Sequence, residues 1–252
     1  MSLDTRRRVR TPYAPALDLP PPFRLVGLRE AGDAFAHARQ IAAEEGAGTL
    51  VHVGRFDLIE FALVLEPDEP LGGARRAFYA GMAALADALA AHAPPEMMIN
   101  INWPDAIFID GALVGGGRLA WPDDAQEDAP PDWLVFGATM RAAAMETTEP
   151  GLRTGSAALE EEGFEDVGSG LLVASFARQL MVQLDAWQEK GFDAVAPSYL
   201  PYLAPEPGLR RDIADNGDLV MRRGSASPER RSLVDALAAA AWLDRETGSP
   251  LL

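Results

Sequence analysis

The sequence predicts an α+β fold: a mixed β-sheet flanked by helices, with a small β-rich appendage on its C-terminal side. Three observations carry that prediction. Short runs of Val, Ile, Leu and Phe are joined by links too tight to hold a helix, at Gly54-Arg55-Phe56-Asp57 and Asp110-Gly111, as between neighbouring antiparallel strands. Two long stretches repeat their apolar residues at helical spacing. Beyond the linker Pro205-Glu206-Pro207-Gly208, Asn216-Gly217 marks a further hairpin.

The elements follow in order. Residues 1–22 are Arg-rich, then Pro-rich, and end in Leu19-Pro20-Pro21-Pro22, an extended arm. Phe23 to Leu28 is a short strand. Asp33 to Glu45 is a helix: Phe35, Ala38, Ile41 and Ala42 share a face, Asp33 is placed to cap it, and Gly46 stops it. Thr49 to Val53 and Leu58 to Leu65 are strands. Gly73 to Ala91 is an alanine-rich helix whose Phe78, Met82, Leu85 and Leu89 face the sheet. Met97 to Ile101, Ile107 to Ile109, Ala112 to Trp121 and Trp133 to Thr139 are strands. Asp110-Gly111 is a type I′ turn dipeptide, since both central residues need positive φ. Thr147 to Ser169 is polar, glycine-rich and acidic, a loop. Leu172 to Lys190 is a helix with the stripe Phe176, Leu180, Leu184, Trp187. Leu209 to Ile213 and Asp218 to Arg222 flank Asn216-Gly217, read as a second I′ turn, and Ser232 to Leu243 holds a last short helix. The organisation is an arm (1–22), a main domain (23–204) and a C-terminal region (205–252) too short for an independent core.

Composition excludes several function classes. With 252 residues, 48% of them hydrophobic, the chain can bury a sizeable core. No apolar run approaches the roughly 20 residues of a membrane helix. Arg6-Arg7-Arg8 is followed by no apolar h-region, so the expected location is the cytoplasm. A net charge of −16 repels nucleic acid phosphates. The absence of cysteine excludes disulfides, thiolate metal sites and a cysteine nucleophile. His37, His52 and His92 each stand alone, which argues against zinc. There is no Gly-x-Ser-x-Gly elbow and no Walker loop. Lys190 is the only lysine, placed to offset a helix dipole, so any lysine-dependent mechanism must use it.

The most informative stretch runs from Asn100 to Trp121. After Asn102-Trp103-Pro104-Asp105 it turns at Asp110-Gly111 and returns through Leu113-Val114-Gly115-Gly116-Gly117-Arg118. Three glycines in a strand let a ligand or another backbone approach closely. They lack a following helix N-terminus, so they read as a pocket floor rather than a phosphate cradle. Arg118 shares a strand face with Gly116 and can reach an anion lying there.

This stretch resembles the biotin protein ligase and lipoate–protein ligase superfamily, whose catalytic domain is class II aminoacyl-tRNA-synthetase-like. In that family a strand ends in Lys-Trp-Pro-Asn-Asp, continues apolar, turns, and returns through a Leu-x-Gly-Gly-like segment. Trp103, Pro104, the Asp-Gly turn, Leu113 and Gly115 match; the lysine falls on Asn102, and Asn-Asp on Asp105-Ala106. The family's long arginine-rich adenylate loop is represented by Arg55 alone. Its Ser-Thr-Asn-like segment falls on Ala31-Gly32-Asp33, and the asparagine of its Ile-Gly-x-Gly-Ile-Asn strand falls on Arg141.

The resemblance implies ATP-dependent attachment of biotin, lipoate or a similar acid to a carrier protein through an acyl-adenylate. ATP and Mg²⁺ are the implied cofactors, with the phosphates and Asp105 or Asp110 around the ion. A homodimer is compatible with it. The implied ligand-binding residues are Asp33, Arg55, Asn102, Trp103, Asp105, Gly115, Gly116, Gly117, Arg118 and Arg141. Plainer readings stand beside these: Asp33 as a helix cap, Arg55 as a solvated loop arginine, Asp110 as a turn residue, Arg141 in a surface salt bridge. A binding module for a small carboxylate, an acyl-adenylate or a biotinyl or lipoyl domain is the alternative to the ligase, and an interaction protein with an empty pocket is the third reading. Losing one electrostatic stabiliser in such a site costs about 10²–10³ in rate, and arginine does not replace lysine conservatively.

Overall fold

The computed structural model describes residues 17–30, 32–144, 155–164, 167–244 and 246–251. Strand β1 (Arg24–Leu28) leads into helix α1 (Ala34–Glu45), which carries the chain across to β2 (Thr49–Val53), parallel to β1. A crossover helix is what a parallel pair requires. The short link 54–57 then reverses the chain into β3 (Leu58–Leu65). Helices α2 (Leu71–Ala74) and α3 (Ala77–His92) lead to β4 (Ile99–Asn102), β5 (Ala106–Ile109), β6 (Ala112–Ala120) and β7 (Leu134–Arg141). The seven strands form one sheet in the order β1-β2-β3-β7-β6-β5-β4, antiparallel after the first pair.

The two faces of this sheet are covered differently. Helix α1 packs Ala34, Ala38 and Ala42 onto Val51, Val53, Ala62, Val64 and Val135. The opposite face receives α3 and, against it, α4 (Ser169–Lys190). There Phe136 stacks on Phe176 at 5.6 Å, and Phe61 lies 4.6 Å from Phe176.

Helix α5 (Ala196–Tyr199) leads to the antiparallel sheet of β8 (Leu209–Ile213), β9 (Leu219–Arg223) and β10 (Glu229–Arg231), followed by α6 (Leu233–Ala239). Ile213, Leu219, Met221 and Leu233 belong to the same core cluster as α3, so the C-terminal region shares the main core.

Three local expectations change. The helix expected from Gly73 begins at Leu71, breaks at Arg75 and Arg76, and resumes at Ala77. The break coincides with Arg75 pairing with Glu127 and lying 4.5 Å over the Trp121 ring. Helix α3 is buried all round rather than on one stripe, because α4 closes the side a two-layer reading leaves to solvent. Asn216-Gly217 does sit in a hairpin, but only Gly217 has positive φ (87°), so the connection is a longer loop closed by Gly217 N–H to Ala214 O and Ala214 N–H to Asp218 O. At Asp110-Gly111 both residues have positive φ, 45° and 87°, as a I′ turn demands. Residues 147–154 and 165–166 of the polar stretch, and residues 1–16 of the arm, lie outside the described residues; within the described part a 3₁₀ turn spans Leu159–Glu162.

Candidate functional site

Strand register aligns one row across the whole sheet: Leu28, Val53, Glu60, Thr139, Gly116, Ala106 and Asn102 are successive partners from β1 to β4. Directly paired residues point to the same face, and Val53 packs under α1, so the row lies on the α1 face. Gly116 at its middle leaves a gap in that surface.

The start of α1 forms one wall. Asp33 Oδ1 accepts the Ala36 N–H at 2.8 Å, so Asp33 is the N-cap. Glu60 Oε1 accepts the Ala34 N–H at 2.6 Å from beneath. Two carboxylates on one helix N-terminus fit its positive end. Burial raises the Glu60 pKa, the Ala34 N–H opposes that rise, and the Asp33 charge adds to it.

The cations come next. Arg118, two residues along from Gly116, lays its guanidinium 4.3 Å over the Phe35 ring and 4.0 Å from Asp33 Oδ1. Burial lowers its pKa, while Asp33 and Glu60 hold it up. Arg141, two along from Thr139 on the same face, donates from Nη2 to the Pro250 carbonyl at 2.9 Å. Arg55 is clamped by Asp57 in a bidentate pair at 2.9 and 2.6 Å.

Asp105 and Trp242 close the far side. The Asp105 carbonyl accepts the Gly117 N–H at 2.9 Å. Its carboxyl, 5% exposed, has its pKa pushed up to about 6, chiefly by burial, with the nearby Trp242 indole opposing. Trp242 is 2% exposed, and its ring lies where a side chain on Gly116 would be: a Cβ there would stand 2.5 Å from the ring.

The sequence-derived candidates therefore separate. Asp33, Asp105, Gly116, Arg118 and Arg141 gather on the α1 face, and Asn102 ends their row. Arg55 stands at the rim, held by Asp57, and its charge acts on Glu60. Gly115 and Gly117 turn to the other face, where Gly117 meets Met82 and Phe78 and Gly115 meets Met140. Of the three glycines, only Gly116 floors the cleft. Trp103 points to the α3 side: its indole donates to Tyr79 Oη at 3.2 Å, and Tyr79 in turn donates to Gly217 O at 2.6 Å. A cavity of about 390 Å³ wraps the outer edge of β4, lined by Asn100, Asn102, Trp103, Phe108, Arg211 and Arg231 among others. Asp110 serves the turn, its Oδ1 accepting the Met98 N–H at 2.9 Å.

Two buried polar atoms around Gly116, Arg118 Nε and Thr139 Oγ1, lack a hydrogen-bond partner, while the Trp242 indole N–H serves the Asp105 carboxyl. Buried polar groups are ordinarily satisfied, so this unpaired couple beside one glycine describes a place that a polar molecule fits. Sequence reasoning missed Glu60, Thr139 and Trp242. Glu60 carried a signal, as the one charge inside the apolar strand Leu-Ile-Glu-Phe-Ala-Leu-Val-Leu.

The sequence matches the family model of the biotin/lipoate A/B protein ligase family over residues 19–201, most of the chain. The chain belongs to that family. Among curated proteins nothing matches its sequence. A solved structure similar to this family member is a biotin protein ligase-like protein of unknown function from Silicibacter sp. TM1040, 26% identical, with a TM-score of 0.73 over 87% of this chain and 98% of that one. The biotin protein ligase of Aquifex aeolicus is similar in fold at 14% identity. A point mutant of that ligase in complex with biotin gives a TM-score of 0.60 over 82% of this chain and 94% of that one. The same ligase in complex with biotin and ATP gives 0.58 over 82% and 99%.

Proposed function

We propose that the α1-face cleft binds a small carboxylic acid of the biotin or lipoate kind, laid over Gly116 with its polar groups on Arg118, Thr139 and Asp105. The observation that carries this reading is the pair of unpartnered buried atoms beside Gly116, Arg118 Nε and Thr139 Oγ1. Arg118 supplies the cation for the carboxylate, and the Phe35 ring beneath it restricts its direction. Thr139 Oγ1 supplies a neutral hydrogen bond to the rest of the ligand. Structures of Aquifex aeolicus biotin protein ligase with biotin support the choice of acid by analogy of fold.

The residues fit such an acid better than they fit ATP. Among the described residues around the cleft, the guanidinium groups of Arg39, Arg55, Arg118 and Arg141 stand against the carboxyl groups of Glu30, Asp33, Asp57, Glu60 and Asp105. That balance does not attract a polyphosphate. Arg55, the remnant of the arginine loop, is engaged by its own neighbour. The one lysine lies at the last turn of α4, behind the opposite face. Among the described residues no three His, Asp or Glu side chains come together to hold a metal ion, so Mg²⁺ would depend on the phosphates for its ligands.

ATP-dependent attachment of the acid to a carrier protein is the second reading, favoured by membership of a ligase family. The two readings share the acid site and part at adenylation. Calorimetry with biotin, lipoate and octanoate measures the shared step, and pyrophosphate release with ATP measures the second. Binding is expected with at least one acid, and Arg118→Ala should weaken it by about 10-fold or more, the scale of one charge-assisted hydrogen bond. Unchanged affinity in Arg118→Ala rejects the cleft. Pyrophosphate release with wild-type protein would replace the binding reading by the ligase one.

A further inference from the structure

The space over Gly116 is not open: residues of this chain fill it. After α6, Ala240 adopts positive φ (27°) and the chain turns back on itself. The Leu251 N–H donates to Trp242 O at 2.7 Å, Leu243 pairs with Pro250, and the Gly248 N–H donates to Asp244 O at 2.8 Å. The described residues between Trp242 and Leu251 thus form a loop closed by its own hydrogen bonds. It enters the cleft at two points, the Trp242 ring on Gly116 and the Pro250 carbonyl on Arg141.

Resting on the acid-site reading above, we infer that this loop is a built-in occupant of the ligand site, which an incoming acid must displace. Three features support it. The indole covers the one position in the row that has no side chain. The Pro250 carbonyl gives Arg141 a neutral acceptor where a ligand would offer an anionic one. The indole fills volume but leaves Thr139 Oγ1 and Arg118 Nε unpaired. A polar ligand that pairs those groups makes a better occupant than the ring. Because the loop is closed on itself, it can leave as a unit without unfolding β6 or β7. The short link 54–57 holds few residues to cover the cleft, and the loop provides cover from a distant part of the sequence.

The apparent dissociation constant of a ligand equals its intrinsic value divided by the fraction of protein that is open. A loop seated about nine-tenths of the time weakens binding about 10-fold. The test compares wild type, Trp242→Ala and a chain stopped after Ala239, each titrated with biotin, lipoate and octanoate. Hydrogen exchange of the Leu251 amide is followed in wild type. The expected result is affinity about 10-fold tighter in both variants, reversal on adding a synthetic 240–252 peptide to the shortened chain, and a Leu251 amide that is protected in free wild type and loses protection at saturating acid. Equal or weaker affinity in the variants, or a Leu251 amide more protected with acid bound, makes Trp242 a fixed wall and overturns the inference while the acid site stands. Binding of no acid by any of the three chains overturns both.

Discussion

The two faces of the seven-stranded sheet are built from the same strands and resolve burial in opposite ways. Under α3 and α4 the contacts are apolar and aromatic, and the buried hydroxyls are paired: Tyr79 donates to Gly217 O and Tyr199 to Pro104 O at 2.8 Å. His52 Nε2 is the exception on the strands there, and burial lowers its pKa. Under α1 the outer half of the face is alanine and valine, but the inner half holds Glu60, Thr139, Asp105 and Arg118 around a glycine. One face maximises packing. The other leaves hydrogen-bonding capacity unused, which suits a binding site rather than a core.

The largest test of this contrast removes a ring from the packed face. Phe176→Ala deletes a fully buried side chain in contact with both Phe61 and Phe136. It should cost about 3–5 kcal/mol in denaturant unfolding; a cost below about 1 kcal/mol would mean that this face is no better packed than the other.

A pH experiment sharpens the contrast from the polar side. The Asp105 carboxyl is raised to about 6 in the folded chain from an ordinary value of 3.8, so the folded state holds its proton more tightly than the unfolded one. Its ionisation therefore opposes folding. The penalty is full above pH 6, is relieved as pH falls through 6, and is gone below 3.8. Its size is on the order of 2–3 kcal/mol. Wild type should gain stability relative to Asp105→Asn between pH 7 and pH 5. Parallel stability curves for the two proteins over that range would remove Asp105 from the list of strained groups.

The smallest effect is the most selective. Thr139→Val keeps the shape and removes an unpaired hydroxyl. It should leave stability unchanged or raise it by up to about 1 kcal/mol, while weakening acid binding several-fold in calorimetry. A clear loss of stability would show that the hydroxyl serves the fold.

Local chemistry made much of this molecule legible before its structure. Asp110-Gly111 could be read because a I′ turn needs two positive φ values. Helix α1 could be read from the spacing of its apolar residues and a capping Asp33. The tight link at 54–57 could be read from its length. The site was legible only along one strand pair, where Gly116 and Arg118 lie two residues apart. Its remainder depends on register: Thr139 meets Gly116 because β6 pairs with β7 in one alignment and not the next. Trp242 lies more than a hundred residues from Gly116 in sequence, and no periodicity links them. The opposite assignments of Gly115 and Gly116 follow from the pleat once the register is known, and from nothing shorter in range.

The placement of Lys190 has a practical consequence. It is the chain's only lysine, it is exposed, and it ends a helix stacked behind the face opposite Gly116. Amine-reactive reagents therefore have a single side-chain target, remote from the cleft, apart from the α-amino group. A dye attached there reports on tumbling and association without blocking the site, and an activated acyl group released near Gly116 finds no lysine side chain beside it to mark.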